Sequence, residues 1–170
     1  MFKIDADNFH WIKNNGDDPT DICLHGSAKA EIGDEKFEYE WTTVSSTALY
    51  LLKSLTQNHI IYKENQMLPC CGHSLFINKD GKTVEVMGCP NGVDWSVIHE
   101  DGKIKLVTET GNEVYVDFEE YQREVFAFAD KVEGFYNSCK PKDLSGYDDY
   151  DKRAYAIFWQ EWHRRRNGNI

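Results

Sequence analysis

The sequence ICLHGSAKAEIGDEKFEYEW, residues 22–41, predicts a β-hairpin. Apolar residues occupy alternate positions in its first half, at Ile22, Leu24, Ala28, Ala30 and Ile32. Alternation with a period of two is typical of a strand with one buried face. Gly33 and Asp34 supply a tight turn. The returning strand carries Phe37, Tyr39 and Trp41 at alternate positions, so these three side chains are predicted to share one face.

The rest of the chain changes between helical and strand patterns. Leucines at helical spacing predict a helix within residues 43–58, with Ser45 or Ser46 as its cap. Three turn signals between residues 68 and 118 predict an antiparallel meander. Two more helical patterns cover residues 118–135 and 148–166. This order predicts a single α+β domain, residues 1–170, with an antiparallel meander sheet and about three helices packed mainly on one face.

The composition is strongly acidic, with a net charge of −10. Residues 107–130 contain one basic side chain, Arg123, and a concentration of carboxylates. The carboxylates are Glu109, Glu113, Asp117, Glu119, Glu120, Glu124 and Asp130. An acidic field repels phosphate backbones, which argues against a nucleic-acid partner and suits a basic protein. A solvated acidic face with no partner is the alternative.

The sequence predicts a cytoplasmic protein with no membrane partner. No apolar run reaches the roughly 18 residues of a membrane-spanning helix, and the amino-terminal residues show no signal-peptide pattern. In the cytoplasm the five cysteines are expected to be reduced, because an odd number at uneven spacing does not resemble a disulfide framework.

Two Cys-x-His pairs are the candidate chemical site: Cys23 with His25, and Cys71 with His73. Residues two apart on a strand point the same way, so each pair could present a sulfur and an imidazole to zinc. The strand phases oppose this, because the first pair lies on a polar face and the second is in phase with Leu75. A cysteine nucleophile with a histidine base and buried thiols that act as small apolar groups are the alternatives.

The last helical pattern carries more aromatic residues than one apolar stripe requires. Trp159 and Trp162 belong to this excess. Tryptophan is favoured at the centres of protein interfaces, so these two residues are predicted to join the acidic segment in contacting a partner. A large aromatic core is the alternative.

Four segments together resemble small bacterial immunity-type proteins, which neutralise a cognate secreted toxin by binding it: DICLHG (21–26), PCCGH (69–73), GCPNGVDW (88–95) and FWQEW (158–162). The resemblance covers most of the chain in layout and assigns no individual residues. It implies an acidic cytosolic α+β inhibitor that masks a toxin surface. We therefore predict a non-enzymatic protein-binding inhibitor without a cofactor, whose partner is a basic toxin domain. A zinc-binding protein or a metal-assisted hydrolase is the alternative.

Overall fold

A computed structural model describes residues 1–13, 16–63, 65–72, 74–88 and 91–168. His73, Cys89 and Pro90 lie outside the described residues. His73 is part of a predicted Cys-x-His pair, and all three residues are part of the segments that resemble immunity-type proteins. The strands are β1 (Phe2–His10), β2 (His25–Ile32), β3 (Glu35–Thr42), β4 (Leu68–Pro69), β5 (Ser74–Ile77), β6 (Val84–Met87), β7 (Gly92–Val93), β8 (Trp95–Glu100), β9 (Lys103–Thr108) and β10 (Glu113–Asp117). The helices are α1 (Val44–Ser54), α2 (Phe118–Ser138) and α3 (Asp149–Arg166).

The strands pair antiparallel within several small sheets. The described residues form one sheet of β1-β2-β3, a second of β8-β9-β10, and the two-stranded pairs β4–β7 and β5–β6. Three helices and antiparallel sheets confirm the α+β class. The predicted single meander sheet with helices on one face is not confirmed, because turn signals locate the ends of strands and do not say which strands share hydrogen bonds.

The hairpin of residues 22–41 is confirmed as β2 and β3. Its turn has Gly33 at φ +62°, a left-handed conformation that favours glycine. No element is predicted from the sequence for residues 2–10, yet β1 pairs with β2 along almost its whole length. Phe2, Ile4 and Ala6 of β1 point into the core, and the residues between them point outward. The central strand of this sheet is therefore β2.

The first helix is more deeply buried than an amphipathic surface helix. Ten of the eleven residues of α1 are buried, because the helix contacts α2, α3 and β2. The expected side-chain cap is not formed. Thr43 occupies the cap position without a side-chain hydrogen bond, and Ser45 Oγ instead accepts the backbone N–H of Leu24 at 3.2 Å. The polar side chain that was predicted to start the helix thus ties α1 to the segment before β2.

The two carboxy-terminal helices close the core and were both predicted. In α3, the Asp148 side chain accepts the backbone N–H of Asp151 at 2.8 Å, which caps the helix. Tyr121 of α2, Trp162 of α3 and Trp95 of β8 are all fully buried. Within the described ranges, no helix is long and apolar enough to cross a membrane.

Candidate interaction groove

Two β-bulges flank β2 at the same level of the first sheet. On one side, Asp7 pairs with Ser27 but the next pair is His10 with His25, so two residues of β1 oppose Gly26 alone. One of the two, Asn8, has φ +54°. Bulges of this kind bend a strand and redirect its side chains, and asparagine tolerates the left-handed region better than most residues.

The second bulge lies on β3. Ala28 pairs with Tyr39 and Gly26 pairs with Thr42, so Glu40 and Trp41 together oppose Ser27. The extra residue turns Trp41 away from the face that holds Phe37. The prediction that Trp41 shares the face of Phe37 and Tyr39 is therefore wrong: its side chain is 63% exposed. A one-residue shift in register moves a side chain to the opposite face.

Gly26 allows both bulges to pack against β2. A Cβ at this position would lie 2.8 Å from the Asp7 carbonyl oxygen, 3.0 Å from Phe9 and 3.2 Å from Val44. Backbone from β1 thus approaches β2 more closely than any side chain permits. Glycine is required here because a side chain would clash, and not because of its backbone conformation, since Gly26 does not have a positive φ.

A groove of about 540 Å³ opens between the two bulges on the outer face of the sheet. Its lining residues come from all three strands: Asn8, Phe9, His10, Ser27, Glu38, Glu40 and Trp41. The Trp41 ring meets His10 edge to face, with ring centres 5.5 Å apart and planes at 81°. His10 also stacks on His25, with ring centres 5.9 Å apart. Trp41, whose ring is supported by His10, therefore forms one wall of an open groove.

The charge of the groove is negative. Glu38 pairs with Lys29 at 3.1 Å, and Asp7 lies 3.9 Å from the same ammonium group. The hydrogen bond from Lys29 to Glu38, together with the nearby carboxylates, raises the pKa of Lys29 above its usual value. Glu40 has no ion pair within the part of the chain that the structure describes. An aromatic ring beside an uncompensated carboxylate is an arrangement that attracts cations.

The predicted acidic segment is partly neutralised by lysines from other strands. Glu113 pairs with Lys105 at 2.8 Å, Asp117 lies 3.7 Å from Lys103, and Glu124 pairs with Lys3 at 2.8 Å. Counting charges along residues 107–130 misses these partners, because β1 and β9 supply them in space. Asp130 pairs with Arg166 of α3 through two hydrogen bonds of 2.6 and 2.8 Å. Of the remaining three carboxylates, Glu109 and Glu119 are exposed and Glu120 is half-buried, and none of them has an ion pair to a described residue.

The two tryptophans predicted to contact a partner have different environments. Trp162 is fully buried, and its indole N–H donates to Glu133 at 3.0 Å, so it packs the core. Trp159 is half-buried and meets the Tyr136 ring edge to face at 5.0 Å. The helical pattern could not separate these positions, because α3 is covered by α1, β5 and β6 over part of its circumference.

The segments that carry Cys23 and Cys71 approach each other. Cys23 Sγ donates to the Gly72 carbonyl at 3.3 Å, so the residues around 23 and 71 are neighbours. Burial, followed by the Asp21 carboxylate, raises the pKa of Cys23 to about 12. No group of three or more His, Cys, Asp or Glu side chains in the described ranges could hold a metal ion. The four-ligand hypothesis remains a prediction, since His73 is outside those ranges.

Cys70 is disulfide-bonded, whereas Cys23, Cys71 and Cys139 carry thiols. The expectation that all five cysteines are reduced is therefore wrong for Cys70. Sequence spacing gave no sign of this, because a disulfide depends on which cysteines meet in space.

The raised pKa of Cys23 predicts an unreactive thiol. A thiolate is the form that alkylates, and moving the pKa from 9.0 to about 12 lowers its fraction at neutral pH by about a thousandfold. We expect iodoacetamide to modify Cys23 about a thousandfold more slowly in the folded protein than in urea, as measured by peptide mass spectrometry. Half-buried Cys139 is the internal comparison. Equal rates at Cys23 in the folded and unfolded protein would contradict a buried, protonated thiol.

A second cavity, of about 230 Å³, lies between α1, the β5–β6 hairpin and the end of α3. Lys53 and Arg165 line it, and buried Glu161 lies beside them. Glu161 accepts the N–H of Val84 at 2.8 Å, while Lys53 donates to the Val84 carbonyl. Lys53 and Glu161 thus form the backbone hydrogen bonds that a neighbouring strand would form with Val84 of β6, so their role is structural.

No protein-family model, curated protein or solved structure matches the chain. A function must therefore be inferred from the geometry of the molecule itself. In that geometry the groove between the two bulges combines an exposed aromatic ring, uncompensated negative charge and a shaped surface.

The groove residues are not among the site residues predicted from the sequence. The pattern of alternation places Trp41 on the strand face of Phe37 and Tyr39, and no element is predicted at His10. One signal was present: Gly26 interrupts the strand pattern of residues 22–32, and a glycine inside a strand indicates a bulge or a close backbone approach.

Proposed function

We propose that this protein is a non-catalytic binding protein, similar in action to an immunity protein, that holds a basic segment of a protein partner in the groove beside Trp41. A basic toxin domain is the partner that the net charge and the sequence resemblance favour. The action consists of masking the partner's surface, and it needs no cofactor.

The exposed Trp41 carries this proposal. A tryptophan that is 63% exposed leaves a large apolar surface in water, and two bulges and a glycine are arranged to place it there. Tryptophan is among the residues that contribute most to binding at protein interfaces. Glu38 and Glu40 beside it add charge complementarity to a basic segment.

The acidic segment supports the same function at longer range. Glu109, Glu119 and Glu120 lie outside the groove, and no described lysine or arginine pairs with them to compensate their negative charge. Charges around an interface accelerate the encounter of oppositely charged proteins and have less effect on the lifetime of the complex. We therefore assign these residues to steering and the groove to retention.

Substitution of Trp41 by alanine is expected to weaken the complex by increasing its dissociation rate. A central tryptophan typically contributes 2 kcal/mol or more to binding, which corresponds to about a thirtyfold faster dissociation. The partner is first captured from the native host with the tagged protein, identified by mass spectrometry and purified. Surface plasmon resonance with the purified partner then gives the two rate constants for each variant.

Tyr62→Ala is the matched control, since Tyr62 is also a highly exposed aromatic residue but lies away from the groove. We expect it to bind like the wild type. Glu109→Lys with Glu119→Lys tests steering, and we expect slower association with an unchanged dissociation rate. Unchanged dissociation in Trp41→Ala would contradict retention by the groove, and failure to capture any stoichiometric partner would contradict the binding function.

A further inference from the structure

We propose that the groove is a seat for an arginine side chain of the partner, with the guanidinium group stacked on Trp41 and hydrogen-bonded to Glu40. This inference rests on the proposed function and specifies the partner group that the site recognises. It follows from four features: the fixed position of Trp41, the free acceptors around it, the balance of local charge, and the openness of the groove.

The Trp41 ring is held in place although it is exposed. His10 meets it edge to face at 5.5 Å, and His10 is itself fixed by a 2.8 Å hydrogen bond between Nδ1 and the Asn8 carbonyl. Asn8 belongs to the β1 bulge, so the bulge determines where His10, and through it Trp41, is placed. A ring that is already positioned loses little conformational entropy when a planar group stacks on it.

Acceptors are available for a planar donor. A backbone carbonyl can only accept, so Nδ1 of His10 carries the proton of this hydrogen bond, and Nε2 accepts whenever the ring is neutral. The Glu40 carboxylate adds two more acceptor oxygens that no described cation neutralises. A guanidinium group has five N–H donors in a rigid fork that matches a carboxylate through two parallel hydrogen bonds.

The local charge leaves room for one more cation. Asp7, Glu38 and Glu40 contribute three negative charges around the groove, and Lys29 contributes one positive charge that Asp7 and Glu38 share. A single arginine would therefore reduce the remaining negative charge without crowding Lys29, which lies on the Asp7 and Glu38 side.

The openness of the groove selects arginine over lysine. An ammonium group is compact and strongly hydrated, so an open groove that does not exclude water offers it little beyond what water already provides. A guanidinium group is weakly hydrated over its flat faces, and it gains contact with the indole while its edges stay hydrogen-bonded. Exposed cation–π contacts with tryptophan are also formed by arginine more often than by lysine.

The test uses small probes and the intact protein. Nα-acetyl-arginine amide, the lysine analogue and the neutral citrulline analogue are titrated into 15N-labelled protein, and the five tryptophan indole signals are followed by NMR. The Trp41 signal is assigned from its loss in Trp41→Phe. We expect the arginine probe to shift the Trp41 indole and the Glu40 amide selectively, with an affinity about fivefold above that of the lysine probe. We expect the citrulline probe to cause no saturable shift.

Glu40→Gln and Glu109→Gln form a matched pair, since each removes one negative charge without changing side-chain size. Loss of the arginine response in Glu40→Gln alone supports the seat. Equal responses to arginine and lysine, or a response that Glu40→Gln leaves intact, would overturn it. If the captured partner needs Trp41 but tolerates replacement of its arginines by lysine, the seat fails while the binding function stands.

Discussion

Replacement of Glu161 by alanine is expected to lower the free energy of unfolding by about 3–5 kcal/mol. Glu161 is fully buried, and its carboxylate accepts Arg165 Nε at 2.8 Å and the Val84 N–H at 2.8 Å. Lys53 Nζ lies 3.8 Å from the same carboxylate. Removing this one acceptor takes the carboxylate away from the nearly buried Arg165 and from a backbone donor of β6, and Lys53 loses one of its contacts. Urea titration followed by circular dichroism measures the loss.

Glu161→Gln separates the two roles of the carboxylate. The amide oxygen can still accept the Val84 N–H, while the negative charge is lost, so we expect a destabilisation smaller than that of the alanine variant. Asp149→Ala is the control on the same helix, because Asp149 is fully exposed and its weak contact with Lys152 spans 3.9 Å. We expect this control to change stability by less than about 1 kcal/mol. A Glu161→Ala protein as stable as the control would refute the strand-like role of the buried charges.

Substitution of Gly26 by alanine is expected to destabilise the fold by about 1–3 kcal/mol and to disturb the groove. The new methyl group would lie 2.8 Å from the Asp7 carbonyl oxygen, and backbone cannot move aside as a flexible side chain can. The β1 strand must shift, and it carries Asn8 and His10 with it. We expect thermal unfolding at a lower temperature and a displaced indole NMR signal of Trp41, whose ring His10 supports.

Gly146→Ala is the matched control for this substitution. A Cβ at Gly146 meets no atom within 4 Å, and its φ is not positive. The same chemical change is therefore expected to be neutral there or slightly stabilising, since alanine restricts the unfolded chain more than glycine does. An unchanged Trp41 signal in Gly26→Ala would show that the bulge does not determine the shape of the groove.

The helices and the hairpin could be predicted from the sequence because their signals are local. Apolar residues three and four apart identify α2, and the capping aspartate at position 148 marks the start of α3. A glycine turn between alternating runs identifies β2 and β3. Each of these features depends on neighbours within a few residues, which periodicity reports directly.

The candidate site could not be predicted in the same way. The acidic segment was a correct reading of composition, but the lysines that neutralise part of it are distant in sequence: Lys3 lies 121 residues from Glu124. The sequence pattern places Cys23 and His25 on a polar face, yet both side chains are buried, and the contact between Cys23 and Gly72 spans 49 residues. Local patterns carry no information about such distances.

The sequence by itself determined the α+β class, the hairpin, the three helices and the acidic charge. The tertiary structure decided which side chains face water. One additional residue in β3 turns Trp41 outward, and one in β1 redirects His10 toward it. Two shifts of register thus move Trp41 from the predicted face of Phe37 and Tyr39 to the wall of a groove. The physical reason is the two-residue period of a strand, in which every inserted residue exchanges the inner and outer faces.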